Sequence, residues 1–190
     1  MSQPFLPHLL HGWLPPDAFF QQFGAPESPR LRAALSCTDS LTRYLEQQTR
    51  QIVRIRLESQ TPVVDGEENS LWDHQQQLPP DSAILARSVW LLLGDQPWLY
   101  AHSQVAMDQL SAAAMAAIER GDEPLGSLFL EREGCVQRTD LELAIAHIPD
   151  LARHLGEDEQ QAYWCRRSLF RVNQNVRARI YEIFLPALLP

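Results

Sequence analysis

The chain predicts an α+β fold: a single antiparallel sheet of about six strands with helices on one face. Three observations carry this. Apolar, β-branched and aromatic runs come in pairs around short turns, as in residues 82–105 and 163–185. Helical stripes are grouped between these hairpins and do not alternate with single strands, so there is no βαβ rhythm. Hydrophobic residues make up 45% of 190, against 21% charged, which is enough for one proper core. Residues 1–27, rich in proline and aromatics, read as an irregular arm. Residues 28–190 read as a single domain.

Taken in order, Ser28-Pro29 predicts a helix start, with serine as N-cap and proline in the first turn, running to about Ser36. Asp39-Ser40 starts a second helix, whose stripe is Leu41, Tyr44 and Leu45. Gln51–Ser59 alternates Val53, Ile55 and Leu57 with Arg54, Arg56 and Glu58, the pattern of a half-buried strand. Residues 60–81 are polar and acidic and read as a loop. Ser82–Leu93 is a strand, Gly94-Asp95 its turn and Trp98–Val105 its partner. Met107–Glu119 reads as an alanine-rich helix closed by Gly121-Asp122. Leu125–Leu130 and Val136–Ala146 read as extended, and 148–162 as a polar stretch with helix as one reading. Tyr163–Val172 and Val176–Leu185 form the last hairpin around Asn173-Gln174-Asn175.

Composition excludes several classes of chemistry. The net charge of −8 disfavours nucleic acid as a partner. No apolar run reaches the ~20 residues that span a bilayer, so no membrane insertion is expected. The N-terminus has early prolines and no basic region, unlike a secretory signal, and the cytoplasm is the expected compartment. Three dispersed cysteines and six scattered histidines form no metal motif. All sixteen basic residues are arginine, so Schiff-base chemistry and a Walker A lysine are excluded. Neither GxGxxG nor GxSxG occurs.

Two charges fall on strand faces that should be apolar. Alternation puts Arg87 beside Leu85, Val89 and Leu91, and Glu182 beside Ala178, Ile180 and Phe184. A charge turned to the core must be paired or must hold a ligand. Arginine grips a carboxylate with two parallel hydrogen bonds, and a desolvated glutamate meets a hydroxyl. The pair therefore suits a small ring with a carboxylate at one end and a hydroxyl at the other. A buried Arg87–Glu182 salt bridge without a ligand is the alternative.

Four segments, DSLTRYLEQQ (39–48), LARSVWLLLGDQPWL (85–99), EPLGSLFL (123–130) and RRS…YEIFLP (166–186), resemble the chorismate pyruvate-lyases, or 4-hydroxybenzoate synthases. The resemblance runs from about residue 28 to the C-terminus and implies a chorismate lyase-like fold. It implies a carbon–oxygen lyase of ubiquinone biosynthesis that converts chorismate to 4-hydroxybenzoate and pyruvate without metal or organic cofactor. It also implies site residues: Arg87 on the ring carboxylate, the Leu125 backbone N–H beside it, Leu41 lining a lid and Glu182 on the ring hydroxyl, with Arg87 and Glu182 as the catalytic pair. Arg166-Arg167 are candidates for the enolpyruvyl carboxylate, or else a structural pair. Two departures from the family are His102, where an arginine is expected after PWL, and Val105-Ala106-Met107, where a Val-x-Pro-like stretch is expected. The expected state is a monomer acting on small molecules. The alternatives are a non-enzymatic aromatic-acid sensor of the same fold and a sister lyase giving another hydroxybenzoate isomer.

Overall fold

A computed structural model describes residues 4–63, 71–72, 77–79, 82–121, 123–132 and 136–188. Most of the 60–81 segment expected to be a loop therefore lies outside the described residues. Seven strands form one sheet: β1 (His8–Leu14), β2 (Val53–Pro62), β3 (Ile84–Leu93), β4 (Gln96–Ala106), β5 (Val136–His147), β6 (Ala162–Val172) and β7 (Asn175–Phe184). Their order is β1-β5-β6-β7-β4-β3-β2, and every neighbouring pair is antiparallel. The helices are α1 (Pro16–Phe23), α2 (Pro29–Ser36), α3 (Leu41–Thr49), α4 (Ala112–Arg120), α5 (Leu125–Arg132) and α6 (Pro149–Leu155).

Hairpin chemistry places the strands as expected. Gly94 takes φ 61 between β3 and β4, and Asn173 and Gln174 take φ 50 and 69 between β6 and β7, the left-handed pairings that match strand twist. Ser28 and Ser40 cap α2 and α3 by accepting from Leu31 N and Arg43 N, each at 3.3 Å.

Two segments differ from the sequence reading. The arm expected to be irregular supplies β1, which pairs with β5 from His8↔His147 to Leu14↔Leu143, and α1, whose Phe19 is fully buried. This arm provides the seventh strand. Leu125–Leu130, expected to be extended, lies in α5. Leu125, Leu128 and Phe129 fall at i, i+3 and i+4 and are all buried, so the run is one face of a helix following Pro124.

The sheet is covered on both faces. Helices α1–α5 share one face. There Phe19, Leu31, Leu35 and Leu45 pack on Val89, Leu91 and Phe184, while Ile118, Leu128 and Phe129 pack on Val105, Phe170 and Ile180. On the opposite face the short α6 packs Leu151 and Ala152 with Trp90, Tyr100, Tyr181 and Ile183. Between the two helix-side clusters the sheet carries buried polar groups, and the candidate site lies there.

Candidate active site

Arg87 on β3 is 2% exposed and Glu182 on β7 is 4% exposed. Strand alternation turns both to the helix side, as expected. The strand between them, β4, contributes Ser103 beside Arg87 and Ala101 beside Glu182. Two strand spacings and a two-residue offset along β4 separate the Cα atoms of Arg87 and Glu182 by roughly 12 Å. Small side chains at Ala101 and Ser103 leave a hollow of about 50 Å³. Leu41, from the first turn of α3, and Leu125, from the first turn of α5, line the same hollow. All four residues singled out from the sequence thus meet at one cavity.

The two charges do not pair with each other. Arg87 Nη2 donates to the carbonyls of Gly121 (2.7 Å) and Glu123 (3.0 Å). It thereby fastens the α4–α5 connection that presents Leu125. Glu182 Oε2 accepts from Arg166 Nε at 2.6 Å and from Arg138 Nη1 at 2.9 Å. Burial pushes the Glu182 carboxyl up, but the two guanidiniums outweigh it and hold the group at about 2. Glu182 is therefore a carboxylate at any physiological pH. Its Oε1 accepts no hydrogen bond among the described residues. Among the described residues the cluster holds three guanidiniums, Arg87, Arg138 and Arg166, and one carboxylate, Glu182, within a chain of net charge −8.

Arg138, on β5, is the residue that sequence reasoning missed. Its side chain is 4% exposed, it also donates to Ser168 Oγ at 2.9 Å, and it lies over the Phe170 ring at 4.5 Å. Alternation along β5 does not reveal its direction. The register shifts between Thr139 and Glu142, where Asp140 takes φ 50, and this bulge sends Arg138 and Glu142 to opposite faces. Arg166 and Arg167 also part company. Arg166 turns to the site and is anchored by the Ala34 and Cys37 carbonyls at 2.6 and 3.1 Å. Arg167 turns to the other face, where it meets Glu142, the Leu71 carbonyl and the Trp13 ring. Arg167 is therefore structural.

His102 is remote from the hollow. It pairs in register with Ser88, faces away from Arg87, and sets Nδ1 3.0 Å from Ser88 Oγ. Burial, with Arg179 nearby, lowers its pKa to about 4, so the ring is neutral. The departure from the family at this position leaves the helix-side cavity untouched.

A second cavity of about 340 Å³ adjoins the hollow on its outer side, and Ser40, Gly126, Arg138 and Phe170 line both. Cys37 and Tyr44 belong to its outer wall. Among the described residues no helix is long and apolar enough to cross a membrane.

Similarity to known proteins identifies the family. Residues 12–189 match the family model described as chorismate lyase. The chain is 31% identical over 170 residues to a probable chorismate pyruvate-lyase of Nitrosospira multiformis, covering 85% of this chain and 89% of that protein. It is 28% identical over 171 residues to a chorismate pyruvate-lyase of Escherichia coli strain 55989, covering 89% and 90%. Among solved structures, it resembles the effector domain of PhnF from Mycobacterium smegmatis, with TM-score 0.56, 10% identity and coverage of 78% and 90%. At that identity the likeness concerns the fold alone. With a family match spanning nearly its whole length, the chain belongs to the chorismate lyase family.

Proposed function

We propose that the protein eliminates pyruvate from chorismate to give 4-hydroxybenzoate, a carbon–oxygen lyase reaction serving ubiquinone biosynthesis. One observation supports this above the rest. The two inward charges of opposite sign stand apart across a small-residue floor, each held by other groups, instead of neutralising each other. A ring with a carboxylate at C1 and a hydroxyl at C4 bridges that gap.

In this reading Arg87 takes the ring carboxylate. The first-turn N–H groups of α5 at Leu125 and Gly126, which have no partner within the helix, favour the same anion. Glu182 accepts the 4-hydroxyl hydrogen bond through Oε1. The Arg138 and Arg166 guanidiniums favour the charged form of Glu182, and in this reading its role is to orient the substrate through the hydroxyl. The C4 hydrogen passes to the enolpyruvyl methylene, which becomes the methyl of pyruvate. The C3–O bond breaks as the pyruvate carbonyl forms, and the ring becomes aromatic. No metal or organic cofactor takes part in these steps. The two guanidiniums that share the single carboxylate of Glu182 suit an anionic substrate and offset the repulsion of the acidic chain.

The inner hollow holds only a few water molecules as it stands. Ring-sized ligands enter when the first turns of α3 and α5, carrying Leu41 and Leu125, move outward. Incubation with chorismate, followed by chromatography, tests the assignment. Formation of 4-hydroxybenzoate with equimolar pyruvate is expected, and 3-hydroxybenzoate as the sole aromatic product overturns it. Tight binding with no turnover would instead assign the chain to ligand sensing, a reading to which the PhnF likeness lends its fold.

A further inference from the structure

We propose that Arg138 is the receptor for the second carboxylate of the substrate, the one on the departing enolpyruvyl group. The inference rests on the proposed reaction and adds to it the anchor of the leaving group.

Every described hydrogen bond of Arg138 leaves from Nη1. Nε is buried and has no partner, and Nη2 donates to none of the described residues. The whole Nε/Nη2 edge is thus left open on a side chain that is 4% exposed. Leaving the buried Nε donor unmatched is costly, and a planar carboxylate fits the Nε/Nη2 edge with two parallel bonds. Rotation is blocked by Ser168 and Glu182 on one side and by the Phe170 ring underneath. The receptor is therefore preorganised.

The placement agrees with the substrate. Chorismate carries its hydroxyl and its enolpyruvyl ether on adjacent ring carbons, with the ring carboxylate opposite the hydroxyl. Groups that hold the hydroxyl and the ether side chain must then be neighbours. Glu182 and Arg138 are in contact at 2.9 Å, while Arg87 lies across β4. Arg166 fits the role less well: its Nε and Nη1 are engaged, a single buried Nη2 remains, and it lines neither cavity. Arg138 lines both. Once the ether bond breaks, pyruvate is held at the boundary with the outer cavity and departs through it. The aromatic acid stays between Arg87 and Glu182 and needs nothing from Arg138.

Arg138→Lys separates these roles, because lysine keeps a cation beside Glu182 and loses the two-pronged edge. In that variant kcat/KM for chorismate should fall roughly 10–100-fold, the loss of a charged bidentate contact. The Kd of 4-hydroxybenzoate, followed by tryptophan fluorescence, should change less than about threefold. Arg87→Lys should weaken both. An equal change in the two constants for Arg138→Lys, or an unchanged kcat/KM, overturns the inference. Wild-type protein gives a second arm that needs no variant to fold. Pyruvate at saturating concentration should leave the Kd of 4-hydroxybenzoate unchanged, and displacement of the aromatic acid by pyruvate counts against Arg138. Should wild type bind chorismate without converting it, the lyase reading fails. The inference then stands or falls on whether Arg138→Lys weakens chorismate binding and spares 4-hydroxybenzoate.

Discussion

Arg87 and Glu182 face one cavity from strands that are not neighbours, and β4 between them offers only Ser103 and Ala101. The gap exists because two small side chains occupy the register positions where larger ones would fill it. Each charge is secured from outside the gap, Arg87 by the α4–α5 carbonyls and Glu182 by two arginines.

The floor should control ring binding. Ala101→Leu projects extra methyl groups into the hollow while remaining compatible with a strand. We expect kcat/KM to drop about 100-fold or more, with a stability change within the ~1–3 kcal/mol usual for overpacking. Steady-state kinetics beside a urea titration checks this. Retention of full activity places the substrate elsewhere.

Glu182→Gln keeps the shape and removes the charge. Two buried guanidiniums then lose their counter-ion, and the cost should be about 3–5 kcal/mol of stability. Activity should fall roughly 10–100-fold through the lost charge-assisted bond to the hydroxyl. Urea unfolding reads the first effect and turnover the second. A variant as stable as wild type contradicts the ion-pair role.

Acid should destabilise the fold in two stages. Folded His102 protonates near 4, against an ordinary 6.5. Between those values the unfolded chain holds a proton that the folded chain refuses, so stability falls as pH drops from 6.5 to 4. Glu182 behaves likewise lower down: folded it protonates near 2, against an ordinary 4.5, and stability falls further from pH 4.5 to 2. Urea midpoints at a series of pH values follow both stages. His102→Gln should flatten the first and leave the second.

Gly126 stands at the wall shared by the two cavities. A Cβ there would lie 3.7 Å from Phe170 Cζ and 3.9 Å from Ser40 Oγ, ordinary contacts, so Gly126→Ala should fold normally. Gly126→Val adds two methyl groups at the same wall. Its kcat/KM should fall about tenfold or more relative to the alanine variant, with Tm nearly unchanged. Equal activity of the two variants argues against passage between the cavities.

The sequence by itself determined the hairpins, the helix starts and the two inward charges, because each depends on a period of two or on a cap a few residues long. Val53, Ile55 and Leu57 against Arg54, Arg56 and Glu58 announce β2, and the same alternation isolates Arg87 and Glu182. Only the tertiary structure decided what those charges touch. Arg166 reaches Ala34 across 132 positions, and Arg138 reaches Glu182 across 44, distances over which no local pattern carries information. The bulge at Asp140 reverses the face of β5 midway, so Arg138 stayed hidden among residues that alternate normally on either side. The run Leu125–Leu130 is apolar enough for a strand or a helix. Burial of Leu125, Leu128 and Phe129 on one stripe made it α5 and put the first turn of that helix beside Arg87.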